Sequence, residues 1–186
     1  LNSPNDACYD SAGNLYFTDP PYGLGENQEK QLDFQGVYRV DPRGRISLLT
    51  KDLERPNGIA LSPDERTLYV ANSHGPRPII MAYPLRADGT LGEGSVFFDS
   101  SDLREQGRRG GNDGLKTDTQ GNVWATAPGG LVILSPDGDH LGSLLTNRFT
   151  ANCAFGGPDR SALYLTADDT ILRIQTLVTG YFPSKR

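Results

Sequence analysis

The feature that most constrains the fold is an internal repeat, which occurs four times along the chain. Its copies read NDACYDSAGNLYFTDP, NGIALSPDERTLYVANS, DGLKTDTQGNVWATAPG and NCAFGGPDRSALYLTAD. Each copy has an opening Asn or Asp, a short apolar run, a polar turn, and a second run in which an aliphatic residue precedes an aromatic one. A unit repeated in register indicates a repeat architecture rather than a single irregular sheet.

Further strand-like runs lie between the copies: GVYRVDP, RISLLT, IIMAYPL, GSVFFD, GLVILSP, HLGSLL and TILRIQT. Turns rich in Pro, Gly and Asp separate them, which is the pattern of successive hairpins. We find no convincing apolar period of helical type. The sequence therefore predicts an all-β chain with four short antiparallel strands per unit, and three in the last.

The repeat step is 52, 56 and then 39 residues, measured between residues 5, 57, 113 and 152. Four strands in roughly 40–50 residues is typical of a propeller blade. We predict a β-propeller with blades at about 5–54, 57–102, 113–148 and 152–177. A β-sandwich is the alternative, but it does not predict in-register copies. The aromatic residues of the second runs are predicted to pack between blades: Tyr16, Tyr69, Trp124 and Tyr164.

The opening polar residues are Asn5, Asn57, Asp113 and Asn152, each 10 or 11 residues before the aliphatic residue of the second run. We align them as equivalent positions. Because the first strand of each blade lines the channel of a propeller, these side chains would converge at one end. Amide and carboxylate oxygens suit a hard cation such as calcium. The same residue types also close Asx turns, so a ligand site and turn chemistry are both open.

Composition argues against several other classes of function. The net charge is −5, and the basic stretch 104–109 is interrupted by acid, so a nucleic-acid surface is not expected. No apolar run approaches the ~20 residues that cross a bilayer. Cys8 and Cys153 lie at matching places in apolar runs and are predicted to be small buried residues. Neither has a histidine nearby in sequence, since the chain has only His74 and His140, which disfavours a cysteine hydrolase.

Four stretches resemble one known family: SPNDACYDSAGNLYFTDPPYGL, RPNGIALSPDERTLYVANS, NDGLKTDTQGNVWAT and NCAFGGPDRSALYLTA. They are similar to the senescence marker protein/gluconolactonase/luciferin-regenerating family, which includes regucalcin, and FTDPPYGL resembles its bacterial gluconolactonase branch. The resemblance covers essentially the whole chain but only the later two-thirds of a family member. It implies four blades of a six-bladed propeller with the N-terminal blades missing, and a chain that is inactive alone if truncated.

The resemblance also implies one divalent cation in the channel, calcium first, with zinc, magnesium or manganese as alternatives. It implies that Asn57 and Asp113 bind the metal directly and that Asn5 contacts substrate or a metal-bound water. Asn152 would line the channel. The family's glutamate ligand belongs to a blade absent here, and Ser3 stands where many members have a substrate-binding arginine.

Asp113 is the one carboxylate among the four opening residues, and we predict that it acts as the general base on water. A bound cation would polarise a lactone carbonyl. His74 could contact substrate at the rim, with a plain surface-loop role as the alternative. The segment 107–113 reads as a flap or as a connection, and its Arg108 and Arg109 would suit an anionic substrate.

The predicted function is therefore a metal-dependent lactonase acting on a small sugar lactone, with neither nucleic acid nor membrane as a partner. The same site acting on a non-sugar lactone or an organophosphate ester is one alternative. A non-catalytic propeller that serves as a binding module is the other.

Overall fold

A computed structural model describes residues 1–25 and 27–184, and it is nearly all β, as the sequence predicts. The strands form four antiparallel sheets, each with its strands in chain order. Blade 1 comprises β1 (Ala7–Tyr9), β2 (Leu15–Asp19), β3 (Gly36–Val40) and β4 (Ile46–Thr50); blade 2 comprises β5 (Pro56–Leu61), β6 (Thr67–Asn72), β7 (Ile79–Pro84) and β8 (Ser95–Asp99). Blade 3 comprises β9 (Leu115–Thr117), β10 (Val123–Ala127), β11 (Gly130–Leu134) and β12 (His140–Leu145); blade 4 comprises β13 (Thr150–Gly156), β14 (Ala162–Ala167) and β15 (Thr170–Gln175).

This arrangement of four blades confirms the predicted propeller architecture, including the three-stranded last blade. The number of blades in a closed ring stays a prediction. The strands lie within two residues of the four intervals proposed from the repeat. We call the end where the first strand of each blade begins the upper end, and the end with the turns between first and second strands the lower end.

One short helix, α1 (Ser101–Glu105), connects blade 2 to blade 3, and the sequence did not predict it. Five residues are too few to show an apolar period. Leu103 is buried in the core between these two blades, while Arg104 is exposed at the upper end. Among the described residues, no helix has the length and apolar character needed to cross a membrane.

Three apolar cores hold neighbouring blades together, because alternate side chains of each strand face one neighbour or the other. Tyr16, Ile59 and Val70 belong to the core between blades 1 and 2, and Tyr69 belongs to that between blades 2 and 3. Trp124 joins the core between blades 3 and 4. The predicted packing role is therefore observed for these aromatic residues. Tyr164 points to the opposite face of blade 4 and belongs to none of the three cores.

Two of the lower turns share a hydrogen-bonding unit that the repeat encodes. In blade 3, one carboxylate oxygen of Asp118 accepts hydrogen bonds from the Asn122 side chain at 2.8 Å and from Trp124 Nε1 at 2.9 Å. In blade 1, Asp10 accepts a bond from the Asn14 side chain at 2.6 Å and one from the Tyr16 hydroxyl at 3.0 Å. Each carboxylate thus fixes both the turn and the aromatic residue that packs between blades.

The segment 176–184 crosses the lower end instead of adding a fourth strand to blade 4. Its backbone bonds to blade 3 through Thr119 N to Thr179 O at 2.8 Å and Tyr181 N to Thr117 O at 2.9 Å. The Tyr181 hydroxyl donates to Glu65 Oε1 of blade 2 at 2.8 Å. One segment therefore joins blades that are far apart in sequence.

The outer face of blade 1 is apolar and has no blade against it in the described chain. Cross-strand partners on this face run from Tyr9 to Leu15, Val40 and Ile46 across the four strands. Tyr9 and Ile46 are more than half exposed, and Leu48 in the neighbouring row is 45% exposed. The corresponding residues in the first three strands of blade 2, namely Leu61, Leu68 and Tyr83, are buried in the core between blades 1 and 2. This face has the composition of an inter-blade surface.

Candidate functional site

A cavity of about 460 Å³ opens at the upper end, and three of the predicted site residues line it: Asn5, Asn57 and Asp113. They come from the starts of the first strands of blades 1, 2 and 3. The remaining lining residues are Tyr22, Arg55, Ser73, Arg104, Gly110, Gly111, Asn112 and Phe149. The structure therefore brings the opening residues of three repeats together, as the sequence predicts.

Asn57 is 5% exposed, and its amide is held in a fixed orientation. Its Nδ2 donates to Ser73 Oγ at 2.8 Å, and the Ser73 hydroxyl in turn donates to the backbone carbonyl of Asn112. Asn57 Oδ1 is buried and has no hydrogen-bond partner in the described chain. A buried amide oxygen without a partner is costly, and its position in a cavity marks it as a ligand atom for a cation or a donor group.

The carboxyl group of Asp113 titrates far from its usual range. Its pKa is raised from 3.8 to about 6, mainly by burial and also by the negative charge of Asp6, while a hydrogen bond from the Asn57 side chain acts in the opposite direction. The Asp113 backbone N–H donates to Thr126 Oγ1 at 2.9 Å, which fixes the start of β9. The result is a partly buried carboxylate whose proton affinity suits a base near neutral pH.

Asp6 lies beside this site, although the sequence analysis did not select it. Its Oδ2 is 3.8 Å from Lys116 Nζ and accepts a long bond of 3.4 Å from the Ile59 backbone N–H. In blades 2 and 3 the same position is Gly58 or Gly114. The signal was visible as the acid in PND, where another copy has PNG.

Asn152 is one residue out of register with the other opening residues. Strand pairing aligns Tyr9, Leu61, Thr117 and Phe155, because these residues pair with Leu15, Leu68, Val123 and Leu163. In blades 1 to 3 the opening residue lies four residues before the aligned residue of the same blade. In blade 4, Asn152 lies only three residues before Phe155. The structural equivalent of Asn57 in blade 4 is thus Ala151. A longer turn between β13 and β14 explains why counting along the sequence misplaced it.

Neither Asn152 nor His74 lines the cavity. Asn152 Oδ1 accepts a bond of 2.8 Å from the Cys153 N–H, and its side chain packs against Gly114. His74 Nδ1 lies 4.0 Å from Glu54, with the side chain one-third exposed. Contact of either residue with substrate stays a prediction.

A comparison with protein families gives one decisive match. The model of the SMP-30/gluconolactonase/LRE-like region matches residues 1–169. The chain belongs to this family. It is 40% identical over 186 residues to a gluconolactonase of Zymomonas mobilis, and the match covers 97% of this chain and 52% of that protein.

Two solved structures of the same family have the same fold. One is a gluconolactonase from Xanthomonas campestris, with a TM-score of 0.82 and 31% identity over 97% of this chain and 58% of that one. The other is a calcium-binding regucalcin from Agrobacterium tumefaciens, with a TM-score of 0.77 and 28% identity over 98% of this chain and 64% of that one. This family member spans about half to two-thirds of the length of these relatives.

The residues at the cavity fit part of a calcium site. Asn57 Oδ1 is buried without a partner, and the Asp113 carboxylate lies beside the same amide. Both are oxygen donors of the kind that calcium prefers. No group of three or more His, Cys, Asp or Glu side chains suited to a metal occurs within residues 1–25 and 27–184. Asn57 and Asp113 would therefore be two members of a larger ligand set.

Two cationic side chains of the cavity were not selected from the sequence. Arg55 precedes Asn57 by two residues, and Arg104 reaches the cavity from α1. The sequence analysis instead associated Arg108 and Arg109 with an anionic substrate. The structure places these in a separate cavity of about 270 Å³ with Arg148 and Leu145. Arg104 belongs to α1, whereas Arg108 and Arg109 follow the helix in the connection to blade 3 and line this second cavity.

Proposed function

We propose that this chain contributes the metal-binding and catalytic residues of a lactonase that hydrolyses a sugar lactone with the aid of a divalent cation, calcium first. The observation that carries this proposal is the convergence of Asn5, Asn57 and Asp113 in one cavity. The buried, unpartnered Asn57 Oδ1 supports a cation there. The family of the chain and the gluconolactonases among its relatives support the reaction class.

Asn57 and Asp113 would hold the cation through their oxygen atoms. When bound, a divalent cation supplies a Lewis acid that polarises a carbonyl and lowers the pKa of a bound water. Ser73 acts on this arrangement indirectly, because its hydroxyl fixes the Asn57 amide so that Nδ2 is occupied and Oδ1 is left free. Ser73 is thus a positioning residue in the proposed site.

Asp113 would remove the proton from the attacking water. Among the described residues, Asp113 is the one carboxylate that lines the cavity, which makes it the group placed to accept that proton. Asp6 contributes by repelling the ionised form of Asp113. Asn5 offers an amide donor and an amide acceptor on the cavity wall, which suits a ring oxygen or a hydroxyl group of a sugar lactone.

The test combines calcium titration calorimetry with a lactone hydrolysis assay on the parent chain, Asp113→Ala and Asp113→Asn. We expect calcium binding to be lost in Asp113→Ala, and hydrolysis to fall by about 10²-fold or more in Asp113→Asn. Asp137→Asn is the matched control, since Asp137 is an exposed turn residue in blade 3. Unchanged calcium binding in Asp113→Ala, or near-parental turnover in Asp113→Asn, would refute the assigned roles.

A further inference from the structure

The side chains that line the upper cavity include more positive than negative charges. Its lining contains two guanidinium groups, Arg55 and Arg104, and one carboxylate, Asp113. Neither arginine forms an ion pair within the part of the chain that the structure describes. Glu54, the acid next to Arg55 in sequence, is already near Arg77 and accepts a bond of 3.0 Å from Asn72. Both cations are therefore available to a ligand.

Arg55 occupies a position defined by the repeat. It lies two residues before Asn57, just as Ser3 lies two residues before Asn5. Ser3 has a structural task, because its hydroxyl accepts a bond of 2.7 Å from the Gly23 backbone N–H, and there is no space for a Cβ at Gly23. The first repeat thus uses this position to hold the loop of Tyr22, and the second repeat uses it to supply a cation.

Packing against neighbours limits where both guanidinium groups can go. The Tyr22 ring lies 5.8 Å from Arg55 Cζ, in a cation–π arrangement. Arg104 lies against Gly75, where an added Cβ would be 3.2 Å from Nη2. Arg55 comes from the connection between blades 1 and 2, and Arg104 from that between blades 2 and 3. Two successive connections therefore present cations to one cavity.

We infer that the site selects a sugar lactone that carries an anionic substituent, namely a carboxylate, sulfonate, sulfate or phosphate. Arg55 and Arg104 bind this substituent. This inference rests on the proposed function. A guanidinium fork binds two oxygens of such an anionic group by paired hydrogen bonds. A cavity of about 460 Å³ is within the range of small-ligand sites and accommodates a ring together with such a substituent.

The test compares two sugars that the proposed reaction cannot consume, glucose and glucose 6-sulfate. Dissociation constants are measured by calorimetry for the parent chain, Arg55→Gln, Arg104→Gln and the control Arg66→Gln. Arg66 is an exposed arginine at the lower end, lining a different cavity. We expect the parent to prefer the sulfate ester by about tenfold or more, and each cavity variant to lower that ratio by about tenfold.

Arg66→Gln should keep the parental ratio, and added salt should weaken binding of the sulfate ester more than that of glucose, because exposed charges are screened. An equal affinity of the parent for both sugars, no binding of the sulfate ester, or an equal loss in Arg66→Gln would overturn the inference. Lactone hydrolysis is assayed in parallel. A binding preference without hydrolysis would count against the proposed function, whereas hydrolysis without a preference would count against this inference.

Discussion

At the scale of one residue, the ionised carboxylate that the proposed function needs at Asp113 lowers the stability of the folded chain. Its carboxyl group is partly buried and faces the charge of Asp6, so the folded state disfavours its ionised form. The hydrogen bond from Asn57 acts in the opposite direction, because it lowers the pKa of this carboxyl group. A cation bound at this point would relieve the repulsion, and without one the chain carries a destabilising charge near neutral pH.

We expect Asp113→Asn to raise the melting temperature near neutral pH. Because the folded-state pKa of about 6 lies above the unfolded value near 3.8, the folded chain holds this proton more tightly. Stability therefore falls as pH rises through this range, and the amide removes that fall. Relief of 1 kcal/mol would raise the melting temperature by about 2–4 °C, with little difference from the parent at pH ~4.

Calorimetric melting of the parent, Asp113→Asn and Asp137→Asn in metal-free buffer across this pH range checks the prediction. Asp137→Asn controls for the general loss of one negative charge. If Asp113→Asn melted at or below the parental temperature near neutral pH, the carboxylate would not be strained in the way the structure indicates.

At the scale of the element, the first strands of neighbouring blades approach closely because glycine follows the opening residue. A Cβ at Gly58 would collide with the backbone carbonyl of Asp113, whereas one at Gly114 would collide with the side chain of Asn152. Backbone cannot give way without moving a strand, but a side chain can change its rotamer. The two glycines are therefore equivalent in sequence and different in tolerance.

Gly58→Ala is expected to lower the free energy of unfolding more than Gly114→Ala does, because it forces two strands apart. We expect the difference between the two variants to be about 2 kcal/mol or more. Urea unfolding of both variants measures the difference. Gly142→Ala, in an exposed region of β12 with open space at its Cβ, serves as the control. Equal effects of the two substitutions would show that the inter-blade distance adapts more easily than the packing implies.

The sequence predicted the strands and blades well because the repeat records both the strand period and the turns. It also predicted that Asn5, Asn57 and Asp113 converge, since all three copies have the same register. It misaligned Asn152 because an extra turn residue in blade 4 is invisible to a count made along the chain. Arg104 and Ser73 were missed for a different reason. Arg104 reaches the cavity from the connection between blades 2 and 3, and Ser73 from the loop between β6 and β7, and no repeat pattern specifies the course of either.

At the scale of the whole molecule, the apolar outer face of blade 1 is an exposed hydrophobic surface. Tyr9, Ile46 and Leu48 lie on it; Leu61, which matches Tyr9 in blade 2, is buried, whereas Val96, which matches Leu48, is 53% exposed. Exposed apolar patches of this kind favour association. The chain studied alone should therefore self-associate through this face.

We expect the double substitution Ile46→Lys with Leu48→Lys to shift the chain towards monomer without lowering its melting temperature. Sedimentation velocity over a range of concentrations measures the association. Leu141→Lys is the control, because Leu141 is equally exposed on the edge strand of blade 3. A parent chain that stays monomeric at high concentration, or an equal effect of Leu141→Lys, would contradict the assignment of this face.

The segment 176–184 affects which parts of the molecule can unfold locally. Repeat proteins whose units contact only their neighbours can open progressively from either end. Here one segment is hydrogen-bonded to blade 3 and, through Tyr181, to Glu65 of blade 2, 116 residues away in sequence. We therefore expect blades 2, 3 and 4 to exchange their amides as one cooperative unit. Blade 1 is tied to the same point, because Glu65 also accepts two hydrogen bonds of 2.7 Å from Ser11.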